Sequence, residues 1–328
     1  MNKLNQILAE DGVLLTDGAT GTELFARGLT SGDPPEQWNE IRPEPVLDVH
    51  RTYIKAGSRL ILTNTFGGTT FRLKLHKLQD RSYDFNKLGA QLAQQAASEV
   101  PQEIIVAGSI GPTGEILTPM GEMEYEDAVK AFAIQAQGLA DGGTDVFWIE
   151  TMSDIDEVKA AVEGIRTVSD LPICAAMTFD TKGRTMMGVT PQDAIRALKE
   201  MGVAAVGANC GNGTDEIEAV ITSMHEICPD TILIAKSNAG MPQWKGDELL
   251  YDGTPAVMAE YTKRVRALGA RIIGGCCGST PLHIAAMAEA LGQPVDEDMV
   301  VQARGYLIQE NPTTEPTKDK ARRRRRRK

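Results

Sequence analysis

The chain lacks any run of 18 consecutive apolar residues, so the sequence predicts no membrane-spanning helix. Its opening segment, MNKLNQILAEDG, lacks the apolar stretch and the small-residue cleavage site of a secretory signal. Cysteine is sparse and odd in number: Cys174, Cys210, Cys228, Cys276 and Cys277. That excludes a regular disulfide framework and points to a reducing compartment, so a cytoplasmic location is expected. Only four histidines are present (His50, His76, His225 and His283), and none falls at the end of a predicted strand. A Ser-His-Asp type of nucleophile is therefore not expected. Aromatic residues make up only 5% of the chain, which makes single Trp residues in polar loops informative.

What is present is an ordinary globular composition, 42% hydrophobic and 24% charged over 328 residues. A chain of this length can bury a full core without staples. The formal net charge of -11 is unevenly spread. Residues 313–328 hold nine Lys or Arg against Glu315 and Asp319, a segment of +7, which leaves -18 for the remainder. An acidic body argues against nucleic acid as the partner. The basic end has no interleaved aromatics to stack on bases and no apolar face for a membrane surface.

Eight short apolar runs recur along the chain: 13–16, 60–63, 104–107, 146–149, 172–175, 204–207, 231–234 and 271–274. Continuous apolar runs read as strands buried on both faces, as a parallel sheet requires. Between them lie segments with helical spacing. Residues 84–99 place Phe85, Leu88, Leu92 and Ala96 on one face. Residues 191–202, 255–269 and 280–292 each begin near a proline and end at a glycine, the punctuation of a helix. Eight βα units in one chain predict a (β/α)8 barrel, a single-domain α/β fold spanning residues 1–295. An open doubly wound sheet is the competing reading, but the segment 17–22, DGATGT, does not match the dinucleotide-binding spacing. Residues 296–328 read as an extension in which the pattern fades, with a disordered basic tail from about residue 310.

Barrel chemistry sits at the carboxyl ends of the strands. The residues just past each run form a polar set: Asp17-Gly18, Asn64, Ser109, Glu150-Thr151, Thr178, Asn209-Cys210, Lys236 with Asn238, and Cys276-Cys277. Three cysteines thus fall at one mouth, on the sixth and eighth strands. Three thiolates with one exchangeable position make a catalytic zinc arrangement, and soft sulfur ligands favour Zn2+. Cys174, inside the fifth strand, and Cys228, in a turn after a helix, read instead as small buried hydrophobes. Without its cysteines, the Gly-rich loop 274–280 would read as a phosphate site at a helix N-terminus. Thr280 reads as the N-cap of that helix and His283 as one of its first-turn residues.

The motifs DGATGT (17–22), LTNTF (62–66), AGSIGP (107–112), IET (149–151), GANC (207–210), NAG (238–240) and GGCCG (274–278) occur in this order. Together they resemble the homocysteine S-methyltransferase family over roughly residues 12–292, with GANC and GGCCG the most specific. The resemblance implies a zinc ion held by Cys210, Cys276 and Cys277. It also implies an amino-acid site built from the Asp17-Gly18 backbone and Glu150, with Asn64, Ser109 and Asn209 nearby. The structural alternatives are that Asp17 caps the helix that follows it and that Glu150 sits in a rim salt bridge, and such a role can coexist with substrate binding. The implied reaction passes a methyl group from a small donor to the homocysteine thiol, giving methionine. Betaine or a related onium compound is the expected donor, and its cationic nitrogen would want an aromatic face. Trp38, Phe66, Phe71, Trp148 and Trp244 are the candidates, with Trp38 in a polar loop the preferred one. A separate methylcobalamin (corrinoid) protein as methyl carrier is the alternative, and a non-catalytic zinc-binding barrel the reading of another class. An oligomer is compatible with the sequence.

Overall fold

The computed structural model describes residues 2–245 and 248–309. The ten strands are β1 (Leu14–Leu15), β2 (Leu60–Leu62), β3 (Ile105–Ile110), β4 (Val146–Met152), β5 (Ile173–Met177), β6 (Ala205–Cys210), β7 (Leu233–Ser237), β8 (Pro242–Lys245), β9 (Glu248–Tyr251) and β10 (Ala270–Gly275). Eight of them form one parallel sheet in the order β1-β10-β7-β6-β5-β4-β3-β2. The ends of that sheet meet. Thr16 bridges Leu60 in parallel, Arg59 N donates to Leu15 O, and Asp17 N donates to Leu60 O. The sheet therefore closes into a (β/α)8 barrel, and the open-sheet alternative is excluded.

Every residue of β2 to β5 is buried apart from Thr151, as expected for strands walled by a neighbour on each face. Alternate residues point inward. Leu14, Leu60, Leu62, Ile105, Ala107, Trp148, Cys174, Ala205, Ile234 and Ile272 fill the lumen as one apolar cluster. The first helix, Lys3–Asp11, adds Leu4, Ile7 and Leu8 to that same cluster. The lumen is thus a packed core, and chemistry is confined to the mouth.

The helices follow the sequence punctuation closely. Pro191–Glu200, Pro255–Ala267 and Pro281–Leu291 each start on a proline after a threonine N-cap. The last has a reciprocal capping box, in which His283 faces the Thr280 backbone and hydroxyl. The predicted helix over 84–99 is observed as Ser82–Ser98.

Two elements go beyond the sequence reading. An antiparallel hairpin, β8 paired with β9, is inserted after β7. A further helix, Glu297–Gln309, follows Pro294 and buries Met299 and Ala303. Met299 joins the main core around the barrel. The expected disordered tail lies outside the described residues. Among the described residues no helix is long and apolar enough to cross a membrane.

Candidate metal centre and substrate pocket

β6 and β10 flank β7, and their ends lie at one level: Cys210 and Gly275 both register with Ser237. Cys210 ends β6 and Cys276 follows β10 directly, so their side chains meet over the end of β7. The Sγ atoms of Cys210 and Cys276 are 3.0 Å apart, and those of Cys210 and Cys277 are 3.7 Å apart. All three lie within 4.8 Å of one another. A tetrahedral zinc with bonds of ~2.3 Å requires sulfur–sulfur separations of about 3.8 Å, so this donor set fits one ion with little movement.

The backbone around the sulfurs is tightly specified. Cys276 N donates to Ser237 O, and Ala239 N donates to Cys277 O. Cys210 itself adopts φ +64, a left-handed conformation that a residue with a Cβ avoids. Gly278 has φ +75, and an added Cβ would lie 2.3 Å from Cγ of Tyr251. Only glycine lets the Tyr251 ring lie against this loop.

The thiols perturb one another strongly. Hydrogen bonds from Cys210 and Cys276 stabilise the Cys277 thiolate and hold its pKa well below the usual thiol range. Cys210, donor in those contacts and buried, is pushed up. A bound cation would favour the ionised form of all three thiols. The buried Asn238 Oδ1 accepts no hydrogen bond among the described residues, although its Nδ2 donates to Gly211 O. Three thiols gathered within 4.8 Å of one another suit a metal ion better than an apolar filling.

Glu150, at the end of β4, is 7% exposed. Its Oε1 accepts from the Ser109 hydroxyl at 2.6 Å. Burial pushes its pKa up to about 7, partly opposed by the charge of Lys236. Among the described residues it makes no salt bridge, so the rim ion pair considered from sequence is not present. Asp17 does not cap the following helix, whose N-cap is Ala19. Its Oδ2 accepts from Leu62 N at 2.7 Å, and its Oδ1 lies 3.3 Å from Lys236 Nζ. Gly18 packs so closely that a Cβ would sit 2.7 Å from Ser279 O. The Asp17-Gly18 segment therefore backs directly onto the cysteine loop, and Gly275 N donates to Asp17 O.

Asn209 links the two halves of the site. Its Oδ1 accepts from Thr151 N and its Nδ2 donates to Thr151 Oγ1, with Cys276 Sγ 3.7 Å away. Asn64 is turned elsewhere, donating to Pro35 O and Asn39 Oδ1. It holds the first βα loop against β2. Trp38 is buried in the outer core with Arg42 stacked on its ring at 4.1 Å, and no described contact joins it to the cysteines. Trp148 is a lumen residue, and the Trp244 side chain lies outside the description. Phe66 is the candidate aromatic presented at the mouth, 38% exposed after β2. Cys174 is buried in the lumen and Cys228 packs against the outer core, both as expected of small hydrophobes.

The sequence reading noted Lys236 and Thr151 at strand ends but gave them no role. Lys236 is 2% exposed, and Thr151 has φ +63. The signal was a lysine inside an otherwise apolar run, ILIAKS, at the end of a barrel strand.

The sequence and the fold have known counterparts. The sequence profile described as Homocysteine S-methyltransferase matches residues 14–291. The chain is 33% identical over 296 residues to the methionine synthase of Mycobacterium tuberculosis, covering 85% of this chain and 24% of that one. It is 32% identical to the Mycobacterium leprae methionine synthase, covering 86% of this chain and 24% of that one. The chain thus spans about a quarter of these relatives' length. Among solved structures, the metallated homocysteine methyltransferase MmuM from Escherichia coli superposes with a TM-score of 0.75 at 26% identity, covering 88% of this chain and 99% of that one. Its apo form gives a TM-score of 0.69 at 25% identity, covering 88% and 100%. The chain belongs to the homocysteine S-methyltransferase family, enzymes that methylate the thiol of homocysteine.

Proposed function

We propose that the protein is a zinc-dependent homocysteine S-methyltransferase in which Cys210, Cys276 and Cys277 hold the ion and the substrate thiol completes its coordination. The convergence of the three sulfurs within 4.8 Å, with the buried Glu150 carboxylate in the same mouth, carries this reading. Zinc bound there would keep the incoming thiol, whose free pKa is ~8.5, as its nucleophilic thiolate at neutral pH.

The chain's own residues supply the positioning. Glu150 pairs with the substrate ammonium, held in place by the Ser109 hydroxyl. The Asp17-Gly18 backbone and Asn209 shape the pocket wall next to Cys276. The thiolate attacks the donor methyl in line. A sulfur–carbon bond forms, the bond from methyl to the donor onium atom breaks, and the donor leaves with its electron pair. Orientation of two bound reactants supplies most of the acceleration in such a displacement.

An onium donor such as betaine is favoured by Phe66, an aromatic face exposed at the mouth. Trp38, preferred from the sequence, is taken up by Arg42. A second reading rests on the rim itself. Ile116, Met120, Met186 and Met241, in the loops after β3, β5 and β7, are each at least half exposed. Such a rim suits a protein partner that carries the methyl group on a corrinoid.

The test is methionine formation from homocysteine by the zinc-loaded protein, with betaine, S-methylmethionine and a methylated corrinoid protein offered separately. Turnover with an onium donor is expected. Turnover with the corrinoid protein alone would replace the onium reading by the second, and turnover with none would overturn both.

A further inference from the structure

The hairpin β8–β9 brings to the cysteines a side chain that holding a metal ion does not require. β9 ends on Tyr251. Its ring lies against Gly278, where an added Cβ would meet Tyr251 Cγ at 2.3 Å. The Tyr251 hydroxyl stands within hydrogen-bonding reach of the Cys277 sulfur. Its placement is specified by the backbone on both sides. Ala239 N donates to Cys277 O, and Gly253 N donates to Ala239 O. Met241 N donates to Asp252 Oδ1 at 2.8 Å. His283, in the first turn of the helix after the cysteines, donates from Nε2 to Gly253 O at 2.9 Å. The base of the hairpin is thus tied to the cysteine loop and to the following helix, which holds Tyr251 over Cys277.

A phenol keeps its proton at neutral pH, so the hydroxyl donates and the sulfur accepts. A thiolate that accepts a charge-assisted bond is stabilised as it stands. Alkylation turns it into a thioether, a weak acceptor. The bond is therefore weakened as the sulfur reacts, and the barrier to reaction rises. This matters where several thiolates share one mouth with a methyl donor. Only the substrate's should take the methyl group, because a methylated ligand loses the negative charge with which it binds the cation. Donors to the three ligand sulfurs are unevenly placed. Tyr251 serves Cys277, and Asn209 Nδ2 lies 3.7 Å from Cys276 Sγ. Among the described residues, the hydrogen-bond contacts of Cys210 Sγ are with the other two sulfurs.

We propose that Tyr251 shields Cys277 from methylation: its hydroxyl engages the Cys277 thiolate and leaves the substrate thiolate as the better nucleophile. This rests on the zinc-dependent methyl-transfer reading above. The reaction suppressed is attack of Cys277 Sγ on the donor methyl. In it a sulfur–carbon bond forms, the bond from methyl to the onium atom breaks, and the donor leaves with its electron pair. Tyr251 acts through a ligand sulfur and is a positioning residue.

The probe is iodomethane, which is small and needs no donor pocket. Zinc content is measured first. Zinc-loaded wild type and Tyr251→Phe are then treated briefly without homocysteine, and methylation at Cys210, Cys276 and Cys277 is read by peptide mass spectrometry. Phe keeps the ring against Gly278 and removes only the hydroxyl. Methylation of Cys277 relative to Cys210 is expected to rise about tenfold in the variant, the effect of one lost hydrogen bond. The ratio of Cys276 to Cys210 stays within about twofold. The cobalt-substituted proteins give a second reading. The sulfur-to-cobalt charge-transfer band of the variant moves to longer wavelength, because a thiolate without its hydrogen bond gives up charge more easily. An unchanged Cys277 ratio overturns the proposal, and so does an equal rise at all three sulfurs, since Tyr251 would then only cover the site. A charge-transfer band that stays in place overturns it by showing that the hydroxyl does not engage the sulfur. A variant that loses zinc overturns it too, because the hydroxyl would then hold the ligand rather than restrain it. A wild type that takes up no zinc would overturn the zinc reading together with this one.

Discussion

Asn209 grips Thr151 across the mouth with both ends of its amide: Oδ1 accepts from Thr151 N at 2.8 Å and Nδ2 donates to Thr151 Oγ1 at 2.7 Å. The two backbones it joins are both strained. Thr151 has φ +63, and Cys210, the residue after Asn209, has φ +64. A left-handed conformation costs roughly 1–2 kcal/mol for a residue with a Cβ. That cost is sustained where surrounding contacts over-determine the backbone, as functional sites tend to do. Asn209 is therefore a brace that turns Cys210 toward the other sulfurs, with its Nδ2 also 3.7 Å from Cys276 Sγ.

Replacing Asn209 with Ala removes both bonds and leaves Thr151 N without its acceptor. A loss of about 1–3 kcal/mol in unfolding free energy is expected, together with weaker zinc retention against a chelator. Denaturant titration and a chelator competition check the two effects. Zinc retention equal to that of the wild type would show that Cys210 keeps its conformation without the brace.

Glu150→Gln preserves shape and removes charge. Zinc should stay bound while homocysteine binding weakens by ~1.5–3 kcal/mol, the value of a charge-assisted bond. Calorimetry on the folded, metal-loaded variant measures this, and unchanged affinity would remove Glu150 from the substrate site.

The same residue gives a pH signature in the substrate-free protein. Burial raises its pKa to about 7 from the ordinary carboxylate value of 4.5. Between those values the folded protein holds a proton that the unfolded chain has released. Stability therefore falls as pH rises through this window, and the full penalty is present above pH ~7. Glu150→Gln should thus be more stable than the wild type at pH 8, with the difference shrinking as pH drops toward 4.5. Denaturant midpoints across that range read it directly, and a difference independent of pH would contradict it.

The fold was legible because its signals are physical and local. Eight apolar runs and the Pro-to-Gly grammar of helices such as 191–200 leave a closed parallel barrel as the economical solution. The hairpin β8–β9 was not legible. Its segment PQWKGDELLY is short and polar, with no alternation strong enough to set it apart from a loop. The helix Glu297–Gln309 was missed because its apolar face is thin, anchored by Met299 and Ala303. At the site, Cys210, Cys276 and Cys277 stood out by residue type alone. The roles of Asn64, Asp17 and Lys236 depend on partners far apart in sequence, such as Asp17 with Lys236, and no spacing rule reports them.

The central claim is that three cysteine sulfurs hold one zinc and leave one place for the substrate thiol. X-ray absorption at the zinc edge, recorded on the same protein before and after adding homocysteine, tests it most directly. The account predicts three sulfur neighbours at ~2.3 Å without substrate and four with it. A sulfur count that does not rise on adding homocysteine, or one already at four in its absence, would contradict it.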